Sequence, residues 1–297
     1  NEAGFCSLGV AVDVARQAIE KASLVVGEIN PRIPQTFGDT FIAFDDFDLV
    51  VEGMRKCGEL GLLMMDAPEE YGGLDLDKAS SMLVQEKMSP AGSFSCAYSA
   101  HTGIGTLPLV YYGTEEQKQQ YLEKLITGEW LSAYCLTEPG SGSDALGAQA
   151  SAVLAKDGKH YLLNGTKNWI TNGGSSQVHL VIAQTDPEKG HRGINAFIVE
   201  TDWDGVQVGA KEDKLGIRSS DTHTIMYTDV KVPKENRIGE DGFGFKFAMK
   251  TLAGGRIGIA AQALGIAGGA YELSVAYSKE REAFGKPISK HQAIAFK

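Results

Sequence analysis

The chain of 297 residues is 43% hydrophobic and 22% charged, which excludes a disordered tail, a collagen-like fibre and a disulfide-stapled mini-protein. Lys+Arg 28 against Asp+Glu 38 leaves a net charge of -10, so there is no general basic field to collect nucleic acid or an anionic membrane surface. No run approaches the ~18 consecutive apolar residues of a membrane helix, and the opening lacks a basic start followed by an apolar signal core. The expected location is the cytoplasm, or an organelle matrix after import, with no membrane insertion. Cys6, Cys57, Cys96 and Cys135 lie far apart and read as buried thiols, and the six histidines show no ligand spacing, so no metal is expected. Asn1 replaces a starting methionine and Lys297 falls inside an apolar run without a stop signal, so both ends are expected to be cut.

Val10, Val14 and Ala18 beside Ala11, Ala15 and Ile19 form the stripe of an amphipathic helix, followed by a β-rich run over 23–29 and a Pro/Gly loop over 31–38. From Asp46 the pattern turns helical, with Val50, Met54, Cys57 and Gly61 on one face, a break at Gly72-Gly73, and a further helix over 79–88. Thr114 and Gln117 make a capping box, and Tyr121, Leu122, Leu125 and Ile126 continue that helix to a stop at Gly128. Between 131 and 237 the sequence alternates and turns: strands over 160–163 and 166–171 separated by an Asn164-Gly165 hairpin signal, then 178–183, 194–201 and 224–232. Helical periodicity returns over 244–279, and a second long helix is expected from Ser289.

Chemistry concentrates in two places. Tyr134-Cys135-Leu136-Thr137-Glu138-Pro139-Gly140-Ser141-Gly142-Ser143 stands at the junction of helical and β segments, where clefts form. Its glycines let backbone N–H groups approach a ligand, and its hydroxyls can bond polar edges or a phosphate; taken alone it reads first as an ordinary Gly/Ser turn. Trp169-Ile170-Thr171-Asn172-Gly173 closes a strand and sets an indole and a hydroxyl two residues apart, hence on one face. The pair can pack on a flat ring and bond its edge, or be a core Trp with an edge Thr.

With these motifs and Asp66-Ala67-Pro68-Glu69-Glu70-Tyr71-Gly72-Gly73, Leu215-Gly216-Ile217-Arg218, Val232-Pro233-Lys234-Glu235-Asn236, Gly254-Gly255-Arg256-Ile257-Gly258 and Arg281-Glu282-Ala283-Phe284-Gly285-Lys286, the chain from about Glu52 to Lys297 resembles the acyl-CoA dehydrogenase family, most closely its short-chain, butyryl-type branch. The resemblance implies an α+β multidomain fold: a helical domain over 52–130, a β-barrel-like domain over 131–237 and an incomplete C-terminal helical bundle over 238–297. It implies FAD and an acyl-CoA thioester bound between them, and α,β-dehydrogenation of the thioester. Tyr134, Leu136 and Thr137 would lie along the flavin, with Gly142 and Ser143 near its phosphates or the CoA portion. Trp169, Ile170 and Thr171 would pack on and bond the ring. Arg281, Phe284 and Gln292 would reach the FAD of a neighbouring subunit in a homotetramer or dimer, although Gln292 can equally close a capping box begun by Ser289. Arg256 would lie on the substrate side, or face a carboxylate between helices. Electrons would pass to an electron-transferring flavoprotein.

In this branch the glutamate that takes the α-proton lies beyond Lys297, and Ala253, Gly254 and Gly255 offer no carboxylate on the helix where a minority branch carries it; the fragment is expected to be inactive or nearly so. Residues 1–51 instead resemble an αβ piece of the acetyl-CoA hydrolase and CoA-transferase family, through Gly4-Phe5-Cys6-Ser7-Leu8-Gly9 and Asn30-Pro31-Arg32-Ile33-Pro34, without an assignable nucleophile. That change near Val51 implies a fused or misassembled reading frame. The alternatives are a catalytically dead FAD- or acyl-CoA-binding remnant and a CoA-transferase.

Overall fold

The computed structural model describes residues 5–7, 41–43, 50–218 and 220–297. Two short strands near the start, β1 (Phe5–Ser7) and β2 (Phe41–Ala43), pair antiparallel with Cys6 opposite Ile42. The helix expected over 10–19, the strand over 23–29 and the loop over 31–38 lie outside the described residues.

The first helical part comprises α1 (Val50–Glu59), α2 (Lys78–Met88), α3 (Ser93–Ser99), a π-helical turn over Ala100–Thr106, α4 (Leu107–Tyr112) and α5 (Glu115–Ile126). Met54 and Cys57 of α1 are buried with Leu63, Tyr98 and Leu131, as the apolar spacing predicts. Asp77 opens α2 by accepting the Ser80 N–H at 2.8 Å. At α5 the capping box forms in both directions, and the Gln117 amide donates onward to the carbonyls of Glu235 at 2.7 Å and Arg237 at 3.0 Å. One cap residue thereby fixes the helix start and docks it on the β-domain. The helix stops at Gly128, whose φ of +74° only glycine adopts without strain.

α3 and the π turn are rich in Ser, Gly and Thr and α4 is a short, continuously apolar run, so none of them shows apolar periodicity and the sequence reading passes over them. Tertiary contact makes them helical. Gly105 lies so close to Ser132 that a Cβ would stand 2.1 Å from its Oγ.

The β-domain is an eight-stranded sheet with the order β10-β7-β6-β4-β5-β9-β8 and β3 added on β6. Its strands are β3 (Ser132–Cys135), β4 (Ser151–Leu154), β5 (His160–Thr171), β6 (Val178–Gln184), β7 (Ile194–Glu200), β8 (Val206–Lys211), β9 (Thr222–Pro233) and β10 (Arg237–Ile238). β6 and β7 are apolar at almost every position because both faces are covered. Val178, Leu180, Ile182, Ile194, Ala196 and Ile198 pack toward Leu109, Leu122, Phe247 and Ala248 of the helices, whereas Val181, Ala183, Phe197 and Val199 join Tyr161, Leu163, Val230 and Val232 in a second core inside the sheet.

The hairpin expected at Asn164-Gly165 does not form: β5 runs straight through it. The irregularity falls on the facing strand, where Thr228 and Asp229 of β9 oppose Asn164 alone, and Asn164 satisfies the bulge by accepting the Asp229 N–H at 2.8 Å. Gly165 is required because a Cβ would stand 2.6 Å from that of Ala150.

The last part is the long α6 (Gly244–Glu280), then a hairpin of β11 (Glu282–Ala283) and β12 (Lys286–Pro287), and a four-residue α7 (Gln292–Ala295). The helix expected from Ser289 begins instead at Gln292, after a 3-10 turn over Ile288–Lys290; His291 stands at its cap position and no side chain caps it. The Ser289–Gln292 capping box is therefore absent. Small residues let α2 and α6 touch: a Cβ on Gly265 would lie 2.0 Å from the Glu86 carbonyl oxygen.

Candidate functional site

The two motifs meet. After β3 ends at Cys135 the chain turns past the end of β5, and the Asn168 N–H donates to the Thr137 carbonyl at 2.8 Å. Lys167, fully buried, donates to the Leu136 carbonyl at 3.0 Å and to Glu138 Oε1 at 2.7 Å. Glu138 and Ser141 exchange backbone hydrogen bonds of 2.8 and 3.1 Å, and Ser141 Oγ donates to the Asp144 carbonyl at 2.6 Å. This closed turn presents Gly140, Gly142 and Ser143 to solvent, and a Cβ at either glycine would meet nothing within 4 Å. A ligand can approach the backbone there unobstructed.

A bulge sets the direction of the indole. Lys167 pairs with Ile225 and Ile170 with His223, so Asn168 and Trp169 together face Thr224 of β9. The extra residue shifts the alternation: Tyr161, Leu163 and Lys167 face inward at odd positions, and after the bulge it is Ile170 that is buried. Trp169 is left 60% exposed with φ +60°, a conformation that costs a bulky residue roughly 1–3 kcal/mol. Trp169 and Thr171 flank the buried Ile170, but a bulge rather than plain two-residue alternation brings them there. Beyond Thr171, the Asn172 amide donates to the Ala97 carbonyl of α3 at 3.0 Å, tying the strand end to the helical part.

Against that strand end lies a cleft of about 410 Å³ between α2, α3, the π turn and α6. Met82, Tyr98, Ile104, Leu252 and Ile259 give it an apolar wall, and Gly254, Gly255 and Gly258 keep the α6 side open. A π turn is a frequent mark of a working site, and here it supplies Ala100, Thr102, Gly103 and Ile104. Among the described residues Asp66 is the one carboxylate in the lining, and it accepts from Ser81 Oγ at 3.0 Å and Lys78 at 3.4 Å. Cys96 also lines the cleft, and burial raises its thiol pKa above the usual value.

Of the residues expected to touch cofactor or substrate, only Thr171 and Arg256 line this cleft. Thr137, Gly142, Ser143 and Trp169 are at least partly exposed, whereas the Leu136 side chain is buried in the helix-facing core and leaves only its backbone for a ligand. Tyr134 departs from expectation: its ring is packed in the helix-facing core, and its hydroxyl is buried without a hydrogen-bond partner among the described residues. Arg256 is exposed and makes no ion pair among the described residues, so the alternative of a carboxylate facing it between helices is not met there. Arg281, Phe284 and Gln292 are exposed at the far end of α6. Phe284, 96% exposed, occupies the tip of the β11–β12 hairpin with φ +54°, followed by Gly285 at +77°, the backbone of a two-residue primed turn.

Sequence reasoning missed Lys167 and Glu138. The available signal was parity: Lys167 falls in phase with the core residues Tyr161 and Leu163. Among the described residues no group of three or more His, Cys, Asp or Glu could hold a metal ion, and no helix is long and apolar enough to cross a membrane.

Comparison with known proteins gives this geometry a family. Successive models match the chain: "Acyl-CoA dehydrogenase, N-terminal domain" over residues 24–129, "Acyl-CoA dehydrogenase, middle domain" over 133–230 and "Acyl-CoA dehydrogenase, C-terminal domain" over 242–297. The first begins at residue 24, so the family match takes in residues 24–51, which the sequence assigns by resemblance to a CoA-transferase-like piece. A probable acyl-CoA dehydrogenase of Bacillus subtilis is 50% identical over 82% of this chain and 40% of its own length. Among solved structures, acyl-CoA dehydrogenase complexed with FAD from Bacillus anthracis superposes with a TM-score of 0.79 at 48% identity, covering 84% of this chain and 43% of that one. Butyryl-CoA dehydrogenase from Megasphaera elsdenii gives 0.78 at 45% identity, covering 82% and 65%. The chain thus spans between 40% and 65% of the lengths of these relatives. A helical part, a β-sheet domain and a short second helical part follow one another, each matched in turn by a domain model of one family, and the chain therefore belongs to the acyl-CoA dehydrogenase family.

Proposed function

We propose that the chain is the FAD- and acyl-CoA-binding part of a short-chain acyl-CoA dehydrogenase, which removes hydrogen from the α- and β-carbons of an acyl-CoA thioester. The observation that carries this reading is the bulge at Asn168–Trp169, which spends backbone strain to hold an indole outside the core beside an open glycine turn. A core tryptophan needs neither. The residues present fit a flavin: Trp169 offers a flat face, Leu136 and Thr137 offer backbone and hydroxyl groups to a ring edge, Ile170 fixes the strand behind it, and Gly142 and Ser143 leave room for phosphates or the CoA portion. Tyr134 contributes backbone only, since its side chain is sealed away.

Bound FAD would supply the acceptor for the hydride lost from the substrate's β-carbon. This chain's own contribution is to orient and dry the reactants. Thr171 stands where the open face meets the cleft, so its hydroxyl can serve either ligand. The apolar wall of Met82, Ile104, Leu252 and Ile259 excludes water from an acyl chain, which strengthens hydrogen bonds to the thioester oxygen as charge grows on it. Arg256, on the exposed rim, faces the substrate side.

Among the described residues the proton step lacks its base. Asp66 is the single lining carboxylate among the described residues, and it is held by Lys78 and Ser81, so none of them offers a free carboxylate to an α-proton. We read the chain as binding FAD and thioester but turning over little by itself. The alternative of a binding remnant makes the same prediction for this chain. The acyl-CoA dehydrogenase match takes in residues 24–51, and the opening segment is given no catalytic role. Arg281, Phe284 and Gln292 would meet the FAD of a second copy in a dimer or tetramer, supported by the exposed Ile257, Leu264, Tyr271, Leu273 and Tyr277 along α6. An electron-transferring flavoprotein is the acceptor class the family resemblance suggests, in the cytoplasm or an organelle matrix.

The test is titration with FAD followed by butyryl-CoA under anaerobic conditions. Binding of FAD with quenched tryptophan emission, without bleaching by the thioester, is expected. Rapid bleaching with turnover would overturn the missing base; absence of FAD binding would overturn the flavin assignment itself.

A further inference from the structure

Lys167 and Glu138 form an ion pair sealed inside the β-domain, with the lysine fully buried and the glutamate 7% exposed. Burial drives the Lys167 pKa below its ordinary value, while the carboxylate of Glu138 pulls it back up. Such a pair is a poor way to gain stability, because desolvating both charges offsets most of their attraction. Its geometry offers another reason for its presence. The ammonium reaches the Leu136 carbonyl at 3.0 Å and Glu138 Oε1 at 2.7 Å, while the carboxylate accepts the N–H groups of Gln149 at 2.6 Å and Ala150 at 2.9 Å. Three separate stretches of chain, 136–138, 149–150 and 167, are thus tied at one point.

The tie lies where the sheet provides none. Strand β3 ends at Cys135, so Leu136 to Glu138 lie beyond its ladder, held across to β5 by the Lys167 contacts and by the Asn168 N–H on the Thr137 carbonyl. Lys167 is also the last residue before the bulge that turns Trp169 outward. We infer that Lys167 and Glu138 are a positioning pair, which sets the spacing between the Leu136–Thr137 backbone and the Trp169 indole and so shapes the face on which the flavin ring rests. This inference rests on the flavin reading above. Neither side chain lines the cleft, so both act through the backbone they hold.

Removing one partner strands a buried charge, and Lys167→Met or Glu138→Gln alone is expected to lose fold stability. The informative variant is the double one, Lys167→Met with Glu138→Gln, which removes both charges and nearly preserves volume. It should melt cooperatively like the parent. Its FAD dissociation constant should rise at least about tenfold, and its Asn168 amide should exchange at least about tenfold faster, consistent with loss of charge-assisted hydrogen bonds. The midpoint potential of whatever flavin it binds should shift, which a purely structural role would not produce. Parental FAD affinity together with parental Asn168 protection would overturn the inference. The parent chain provides a check independent of any variant: without ligand, its Asn168 amide should be protected like the ladder amides of β6, and exchange at a loop rate there overturns the inference even if the double variant fails to fold. A parent that binds no FAD would sink the flavin reading, while the Asn168 amide would still decide whether the pair clamps the two segments.

Discussion

The Asn168 N–H donates to the carbonyl oxygen of Thr137 at 2.8 Å, and through that bond two motifs separated by about thirty residues become one surface. Asn168 is also the first residue of the bulge, so the contact joining the motifs adjoins the irregularity that exposes the indole. Joining and exposure therefore have one structural cause.

Trp169 separates ligand binding from folding. Trp169→Gly removes an exposed ring and relieves a φ of +60°, so the ligand-free protein should be unchanged or up to about 1 kcal/mol more stable in urea. FAD affinity should fall at least about tenfold, the stacking of a large ring being worth more than about 1 kcal/mol. A loss of stability as large as the loss of affinity would return Trp169 to the core.

The cleft's glycine wall predicts a size filter. A Cβ on Gly254 meets nothing within 4 Å, so Gly254→Leu should fold, fill part of the cleft and weaken binding of longer acyl-CoA thioesters more than short ones. Gly265→Ala, on the same helix, should instead cost about 1–3 kcal/mol because its Cβ would collide with the Glu86 carbonyl oxygen. Isothermal titration of the first and urea melts of both check the contrast.

Buried His101 predicts an acid limit. Its Nε2–H donates to the Leu125 carbonyl at 2.9 Å and its Nδ1 accepts the Ser132 N–H at 3.1 Å, which is a neutral ring, and burial pushes its pKa down to about 4. The folded value lies below the unfolded one of 6.5, so the unfolded chain binds the extra proton first. The contribution is therefore whole above pH 6.5 and lost as pH falls toward 4, amounting to roughly 3 kcal/mol. Denaturant melts of the parent and His101→Gln between pH 7.5 and 4.5 should converge as the pH drops; parallel curves would show that His101 is not the titrating group.

Phe284 and Arg281 predict dependence on a second copy. Both are exposed, so Phe284→Gly and Arg281→Ala should leave the melting temperature of ligand-free monomer within about 2 °C of the parent's, as for surface substitutions generally. They should lower FAD retention and the sedimentation coefficient together. Unchanged retention in both variants would remove these residues from the site.

Much of the fold was legible because local signals and tertiary packing agreed. The Thr114–Gln117 box, the Gly128 stop and the apolar runs of β6 and β7 each state their structure within a few residues. The cleft was less legible: α3, the π turn and α4 have no apolar rhythm, and contacts such as Gly105 against Ser132 make them helical. At Asn164-Gly165 a strong turn signal was overridden, because nine residue pairings with β9 held β5 straight and put the bulge on the partner strand.

The amino-acid sequence by itself determined the order of helical and β parts, the family, and the two segments that carry the chemistry, since these depend on short-range patterns and on motifs that stay recognisable along the chain. Only the tertiary structure decided that Trp169 points out while Tyr134 is sealed in, that a lysine in the middle of a strand is wholly buried on Glu138, and that a cleft opens beside Thr171. A one-residue bulge reverses which face a side chain takes, and a buried ion pair joins residues 29 apart in sequence; neither follows from local propensity, because both are set by what the partner strand and the neighbouring loop place opposite.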